Sequence, residues 1–246
     1  MKKTLLMVLL FCLSIQARAV ELPNQGFGLQ IGWAQPILRL NEPNYSLEQK
    51  DSLGNVVKLN GIKIGLVYDA SYIAGFGSTM GINYTFAAAH TPWKIDNTYG
   101  IPYPRHNEKY FYNEVEVFVD WQYKFEVAKE TYLMLYTGPS IQCGISFTER
   151  TNTQEQIFDE IVTTTQTYKL YGGNEDENPD KTLKRLNVTW GVGAGFQYKR
   201  YFLRGGYDFG LLVPYKNADF SNERHTRGRL DQWSIKVGMY LWYDED

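Results

Sequence analysis

Residues 110–125 carry apolar side chains at every second position and polar or charged side chains between them. The apolar set contains Phe111, Val115, Val117, Val119, Trp121, Tyr123 and Phe125, and the opposite set contains Glu114, Glu116, Asp120, Gln122 and Lys124. A period of two residues predicts a β-strand with two unlike faces. The strand exceeds the usual length of about 5 to 6 residues and reaches the roughly 9 to 11 that a tilted strand needs to cross a bilayer. This stretch alone fits a membrane barrel and a soluble lipocalin-like barrel equally well.

Seven further segments alternate in the same way and predict seven further strands. They are residues 27–34, 61–69, 76–88, 131–147, 183–198, 201–213 and 230–243. Together the segments predict an all-β chain that forms an eight-stranded antiparallel up-and-down transmembrane β-barrel. In 183–198 the polar face includes Gly191, Gly193 and Gly195, which predicts close packing of groups inside the barrel or strong curvature of the strand. No helical pattern follows these glycines, so a dinucleotide-binding motif is excluded.

The connections between the strands alternate between long and short along the chain. Long polar segments follow the first, third, fifth and seventh strands, and short turns follow the second, fourth and sixth. Outer-membrane barrels have short periplasmic turns and long external loops, which favours the membrane barrel, with both termini in the periplasm. The middle of the longest connection, 149–182, is expected to form a β-hairpin above the bilayer. Ten strands are the alternative, if its Thr-rich run 163–165 pairs within the membrane.

The N-terminus has the parts of an export signal. Lys2 and Lys3 form a basic region, residues 5–15 an apolar stretch, and residues 17–19 a small-x-small cleavage site. We therefore expect residues 1–19 to be a signal peptide and residues 20–246 to form the outer-membrane β-barrel domain. Cys12 follows the bulky Phe11, which argues against a lipoprotein signal.

Composition limits the function of the mature chain. Loss of the signal peptide removes three cations and no acid, which lowers the formal net charge from −2 to −5. An acidic chain of this kind is not expected to bind nucleic acid. Only Cys143 would remain, so no intrachain disulfide is expected. The sequence has no Cys or His spacing typical of a metal site, and we expect neither a metal nor another cofactor.

The alternation, the loop lengths and the aromatic last strand resemble the small outer-membrane barrels of the OmpA and OmpX type. The signal peptide, the Tyr-rich strands and the acidic tail are similar to the PorT-like outer-membrane β-barrel proteins of Bacteroidetes. The resemblance covers the whole mature chain and implies an integral outer-membrane protein, in some members tied to protein secretion or surface contact. The chain departs from this pattern at its end, where Trp242 and Tyr243 are followed by three acids, residues 244–246.

The polar faces of the predicted strands place a set of charged side chains inside the barrel. These are Lys63, Asp69, Glu114, Glu116, Asp120, Lys124, Arg185, Arg204, Asp208 and Lys236. An eight-stranded barrel is only just wide enough for its side chains to fill, and buried charges require partners. We therefore expect a salt-bridged, largely closed lumen, with a narrow pore as the alternative.

The long loops carry the remaining candidates for function. Some small barrels modify outer-leaflet lipids with Ser and His beside an acid, but His90, His106 and His225 belong to no recognisable motif of this kind. We expect no catalytic residues, and a lipid-modifying enzyme is the alternative. The loops also contain tyrosines, an effective contact residue: Tyr45, Tyr99, Tyr103, Tyr168 and Tyr171. The expected role is therefore structural or surface binding, with outer-membrane lipid and an extracellular or periplasmic protein as partners.

Overall fold

The computed structural model describes residues 25–39, 56–73, 75–95, 105–158, 160–172, 183–214 and 228–243. These ranges contain the strands β1 (Gln25–Arg39), β2 (Val56–Lys58), β3 (Asn60–Ile73), β4 (Phe76–His90), β5 (Lys94–Ile95), β6 (Arg105–Ala128), β7 (Thr131–Ile157), β8 (Glu160–Lys169), β9 (Leu186–Tyr198), β10 (Tyr201–Gly210) and β11 (Arg229–Tyr243). The predicted signal peptide, His225 and the loop residues Tyr45, Tyr99 and Tyr103 lie outside the described residues. None of the described residues belongs to a helix that is long and apolar enough to cross a membrane.

Eight of the strands form a closed ring of antiparallel neighbours. Their order is β1, β3, β4, β6, β7, β9, β10 and β11, and β11 returns to β1. The pairing of β1 with β11 runs from Gly26↔Tyr243 to Arg39↔Arg229, so the ring has no open edge. The predicted eight-stranded barrel is confirmed. The ten-stranded alternative is wrong, because Thr163–Thr165 pair with residues of β7 beyond the stretch that pairs with β9.

The two ends of the barrel differ in their connections. Tight turns join β3 to β4, β6 to β7 and β9 to β10 at one end, where Gly26 also pairs with Tyr243. We call this the short-turn end and the opposite end the long-loop end. The strands β2, β5 and β8 all lie at the long-loop end, where they pair with β1, β6 and β7. The alternation of short and long connections in the sequence thus corresponds to two different ends of the barrel.

Two strands run far beyond the ring at the long-loop end. β6 has 24 residues and β7 has 27, against the predicted strands 110–125 and 131–147. β8 then returns along β7, from Ile157↔Glu160 to Thr148↔Lys169, which confirms the hairpin expected in the longest connection. We call residues 105–112, 148–157 and 160–169 the projecting sheet. Its pairing with the ring includes a β-bulge, since Glu114 is opposite Gly144 and Asn113 is opposite Ser146, which gives β7 one extra residue.

Other strand boundaries also differ from those expected. The first strand, predicted as residues 27–34, runs from Gln25 to Arg39 and includes Pro36, although proline lacks an N–H donor. The Pro36 carbonyl accepts a hydrogen bond from the Leu59 N–H at 2.9 Å, and β2 pairs with residues 37–39. Part of the segment expected to be a loop is therefore strand.

The outer face of the ring is apolar and the inner face is polar. Ile62, Ile141 and Val237 are about half exposed, whereas their sequence neighbours Lys63 and Gln142 are buried. Exposed aromatic residues lie towards both ends: Phe86, Trp190 and Trp233 nearer the long-loop end, and Tyr198, Tyr201 and Trp242 at the short-turn end. An apolar band between aromatic girdles is typical of a barrel that meets lipid.

Candidate functional site

Lys63 lies at the centre of a buried ion-pair cluster inside the ring. Its Nζ is 2.9 Å from Glu116 Oε2, and it also donates a hydrogen bond to Gln232 Oε1. The Gln232 amide in turn donates through Nε2 to Glu114 Oε1 at 2.7 Å. All four side chains are buried. Because buried charges are tolerated only with good partners, the cluster depends on each of its members.

Neutral donors satisfy the remaining oxygens of the two glutamates. Asn83 Nδ2 donates to Glu116 Oε2 at 2.7 Å, and Ser140 Oγ donates to Glu116 Oε1 at 3.2 Å. The Tyr112 hydroxyl donates to Glu114 Oε2 at 2.6 Å. Lys63 lies on β3, Asn83 on β4, Glu116 on β6 and Ser140 on β7. The cluster therefore links strands across the lumen as well as around the wall.

A second cluster surrounds Asp69 nearer the short-turn end. Lys124 Nζ is 2.8 Å from Asp69 Oδ2, and Gln122 Nε2 donates to Asp69 Oδ1 at 2.6 Å. The Tyr240 hydroxyl donates to Asp69 Oδ2 at 2.5 Å. These groups come from β3, β6 and β11, so the carboxylate of Asp69 holds three strands together.

A third group of charges lies beside β10. Arg204 Nη2 is 2.8 Å from Asp120 Oδ2, and its guanidinium lies 4.1 Å from the centre of the Tyr136 ring. Lys236, opposite Arg204 across β10 and β11, lies 5.2 Å from the centre of the Phe118 ring. Aromatic faces attract cations in this arrangement. Arg204 is thus held by a carboxylate and a ring face, and Lys236 lies against a ring face.

Nine of the predicted lumen charges therefore lie inside the ring, eight of them buried and Asp208 half-buried. Asp208 lies against Gly191, where an added Cβ would be 2.5 Å from its Oδ1. Arg185 is the exception, because regular alternation begins only at Leu186, the first residue of β9. Its side chain is exposed, and its guanidinium donates to the Ile145 carbonyl at 3.3 Å.

An apolar cluster fills the lumen at the long-loop end. After β8 the chain folds back and buries Leu170 and Tyr171, and it buries Leu183 just before β9. The Leu170 N–H donates to the Phe147 carbonyl and the Leu183 N–H to the Leu170 carbonyl, both at 2.8 Å. The Tyr171 ring lies 6.4 Å from that of Tyr112. Burial raises the pKa of the Tyr171 phenol, which keeps it uncharged. We call Leu170, Tyr171 and Leu183 the mouth plug.

A second apolar cluster fills the ring nearer the short-turn end. It contains Val67, Phe118, Met134, Phe202, Tyr240 and Tyr243. The rings of Phe202 and Tyr240 have centres 4.9 Å apart. The close packing predicted from the glycines is confirmed, since a Cβ on Gly193 would lie 2.3 Å from Tyr136 Cζ. Glycines on the inner wall thus leave room for large aromatic side chains.

The described histidines lie at the long-loop end. His90 Nε2 is 3.3 Å from Asn107 Nδ2, and His106 is opposite Lys94 of β5. No hydrogen bond joins either histidine to a serine among the described residues. The arrangement needed for a Ser-His-acid nucleophile is therefore absent from the described part of the chain.

The tip of the projecting sheet exposes apolar side chains. Phe158 lies in the turn between β7 and β8, is 94% exposed and has a φ of 56°. Ile157 and Ile161 flank it and are also exposed. Glu130 and Lys199, in two of the tight turns at the short-turn end, also have a positive φ, of 57° and 52°, so this φ is a feature of the tight turns of the barrel. The exposed Phe158 side chain therefore takes no part in the packing of the ring.

Comparisons with known proteins give weak structural similarities. No protein-family model matches the sequence, and no curated protein matches it. The chain is similar to neisserial surface protein A, with a TM-score of 0.40 and 11% identity over 89% of this chain and 100% of the other. It is similar to Ail, the attachment invasion locus protein of Yersinia pestis, with a TM-score of 0.35 and 12% identity over 89% and 99%. For a FadL homologue of Pseudomonas aeruginosa the TM-score is 0.23 and the identity 9%, over 90% and 91%.

Proposed function

We propose that this protein is an integral outer-membrane β-barrel with a largely closed lumen, which binds a partner at the cell surface through the projecting sheet. The membrane location is supported by the apolar outer face of the ring and by the exposed aromatic residues near both ends. In this orientation the short-turn end faces the periplasm and the long-loop end faces outward. The proposed export depends on the signal peptide expected at residues 1–19.

The closed lumen is supported by the way the inside of the ring is filled. The mouth plug lies at the long-loop end, and the cluster that includes Phe118 and Phe202 lies nearer the short-turn end. The ion pairs of Lys63 and Arg204 are also inside the ring. A barrel of eight strands leaves little space beyond its own side chains. We therefore assign the lumen charges a structural role and propose neither transport nor catalysis.

The surface-binding role rests on one observation, the exposed Phe158 at the tip of the projecting sheet. Aromatic side chains are enriched at protein interfaces, because they bury a large area with little loss of conformational entropy. In its narrower form, the proposal makes the chain a PorT-like protein of Bacteroidetes with a partner linked to secretion. That form is supported by the sequence resemblance.

Photo-crosslinking on intact cells tests the surface-binding role. A benzoylphenylalanine residue placed at position 158 should give a discrete adduct with a partner. The same residue at position 166, exposed on the body of β8, is the matched control and should give a weaker adduct. Equal adducts at both positions, or none at position 158, would remove the support for binding at the tip.

The variant Phe158→Gly separates binding from folding. Glycine adopts a positive φ without strain, so we expect the free energy of unfolding to stay the same or to rise by about 1 kcal/mol. Loss of the aromatic ring should at the same time abolish crosslinking from a probe at Ile161. Urea unfolding in lipid vesicles measures the first quantity. A clear loss of stability would instead make Phe158 a structural residue.

A further inference from the structure

The projecting sheet separates its charges by face. Residues directly opposite each other in an antiparallel pair lie on the same side of the sheet. Lys109 is opposite Arg150, Arg150 is opposite Thr167, and Lys169 is opposite Thr148. The cations Lys109, Arg150 and Lys169 therefore share one face, which we call the basic face.

The acids of the projecting sheet lie on the other face. Glu108 is opposite Thr151, and Glu149 is opposite Tyr110. Glu155 is opposite Val162 in the β7–β8 pairing. The inner side of the ring continues into this face, because the Tyr110 side chain is buried in the apolar cluster at the long-loop end. The sheet thus directs its acids above the lumen and its cations away from it.

The basic face continues the outer, apolar face of the ring. On β6 the alternate positions Lys109, Phe111, Asn113, Val115 and Val117 lie on one side, and Val117 is exposed on the outside of the ring. The Arg150 guanidinium lies 5.8 Å from the centre of the Phe111 ring, which confirms that both side chains share this side. The cations therefore stand immediately beyond the apolar band, at the level where lipid headgroups begin.

No acidic residue of the projecting sheet lies on the basic face beside these three cations. Among the described residues, no ion pair involves Lys109, Arg150 or Lys169. Lys109 and Arg150 are directly opposite each other, and like charges in that position destabilise a strand pair. An external anion would relieve this repulsion. Arginine and lysine are the side chains that bind phosphate most effectively.

We infer that the basic face binds the phosphate groups of a phosphorylated glycolipid in the outer leaflet. The occupant is a lipid rather than a soluble anion, because the cations are continuous with the surface that meets acyl chains. The inference rests on the proposed membrane location. The basic face would then contact the membrane surface, and the acidic residues of the projecting sheet would face the medium.

Native mass spectrometry of the full mature chain in detergent micelles tests this inference. The probes are bisphosphorylated lipid A, the same lipid without its phosphates, and inorganic phosphate as a competitor. We expect wild-type protein to bind the phosphorylated lipid. The double variant Lys109→Gln/Arg150→Gln should bind it about 30-fold more weakly, since each basic side chain near an anionic lipid surface contributes about fivefold.

The matched control removes two cations from the opposite end of the barrel. Lys129→Gln/Arg200→Gln lies in the short turns and should bind lipid A as the wild type does. Heat-dependent gel mobility verifies that both double variants are folded. Equal binding of the dephosphorylated lipid, unchanged binding by Lys109→Gln/Arg150→Gln, or competition by equimolar inorganic phosphate would overturn the inference. Because this assay uses micelles, its failure leaves the proposed membrane location intact.

Discussion

Lys63 shows how a single side chain joins distant parts of this barrel. Its ammonium group contacts Glu116 on β6 and Gln232 on β11, although Lys63 itself lies on β3. No water-exposed surface is available to it, since its relative exposure is 0%. The charge is therefore tolerated only through these partners, and removal of one partner affects all the others.

The substitution Lys63→Met should destabilise the barrel strongly. It leaves Glu116 buried without its cation, and breaking a buried pair of this kind costs about 3 to 5 kcal/mol. Urea unfolding in lipid vesicles measures the loss. Lys58→Met, at an exposed position of β2, is the matched control and should change stability by less than about 0.5 kcal/mol. The double variant Lys63→Met/Glu116→Leu should recover part of the loss, and no recovery would contradict the pairing.

Alternation in the sequence predicts which charges face the lumen, but not which groups they contact. Gln232 and Tyr240 complete the clusters around Glu114 and Asp69, yet neutral residues on a polar face carry no signal of their own. Alternation misplaces the Arg185 side chain for a related reason. Side chains alternate between two faces only within a strand, and β9 begins at Leu186. The residue type and its position in the alternation therefore identify which side chains face the lumen. Their contacts depend on the register between neighbouring strands, which the alternation does not give.

At the level of the strand, the central question is which face meets lipid. Val117 and Val237 are exposed on the outside, and Glu116 and Asn187 are buried inside the ring. Spin labels at these positions, in a Cys143→Ser background, should be quenched by a lipid-tail quencher at the two valines and protected at the two controls. The reverse pattern would place the apolar faces inside a soluble barrel. Replacement of Val117 by Arg should cost about 2 to 4 kcal/mol near the bilayer midplane.

All eight strands of the ring could be predicted from the sequence, because a barrel wall between lipid and lumen imposes a strict period of two. The hairpin in the longest connection could also be predicted, but the extension of β6 and β7 into the projecting sheet could not, because both faces are polar there and the contrast between them disappears. Residues such as Thr151, Thr153 and Gln154 pair in β7 without any apolar partner face. The mouth plug was also missed. Its only signal is a pair of apolar residues, Leu170 and Tyr171, in an otherwise polar segment.

For the whole molecule, the filled lumen leads to a test of permeability. We expect liposomes that contain the protein to release a trapped dye no faster than protein-free liposomes. The plug variant Leu170→Ala/Tyr171→Ala should also stay closed, because Phe118 and Phe202 still fill the ring nearer the short-turn end. Release at the rate of a porin control would instead establish a conducting pore. Release only from the plug variant would make the mouth plug the sole barrier.

The extra residue in β7 governs more than local geometry. It lies opposite the step from Asn113 to Glu114. On the short-turn side of this position the odd-numbered residues of β7 face outward, and on the long-loop side the even-numbered residues face outward. The extra residue is Ile145, which lies between Gly144, opposite Glu114, and Ser146, opposite Asn113.

Deletion of this extra residue would leave Ser146 and every later residue of β7 with the partners they now have, so Glu149 would stay opposite Tyr110 and Arg150 opposite Lys109. A deletion of one residue in a regular part of the strand would instead turn all later side chains over and exchange the acidic and basic faces of the projecting sheet. The bulge is therefore the position at which β7 tolerates a change in length without a change in the charge of its surfaces.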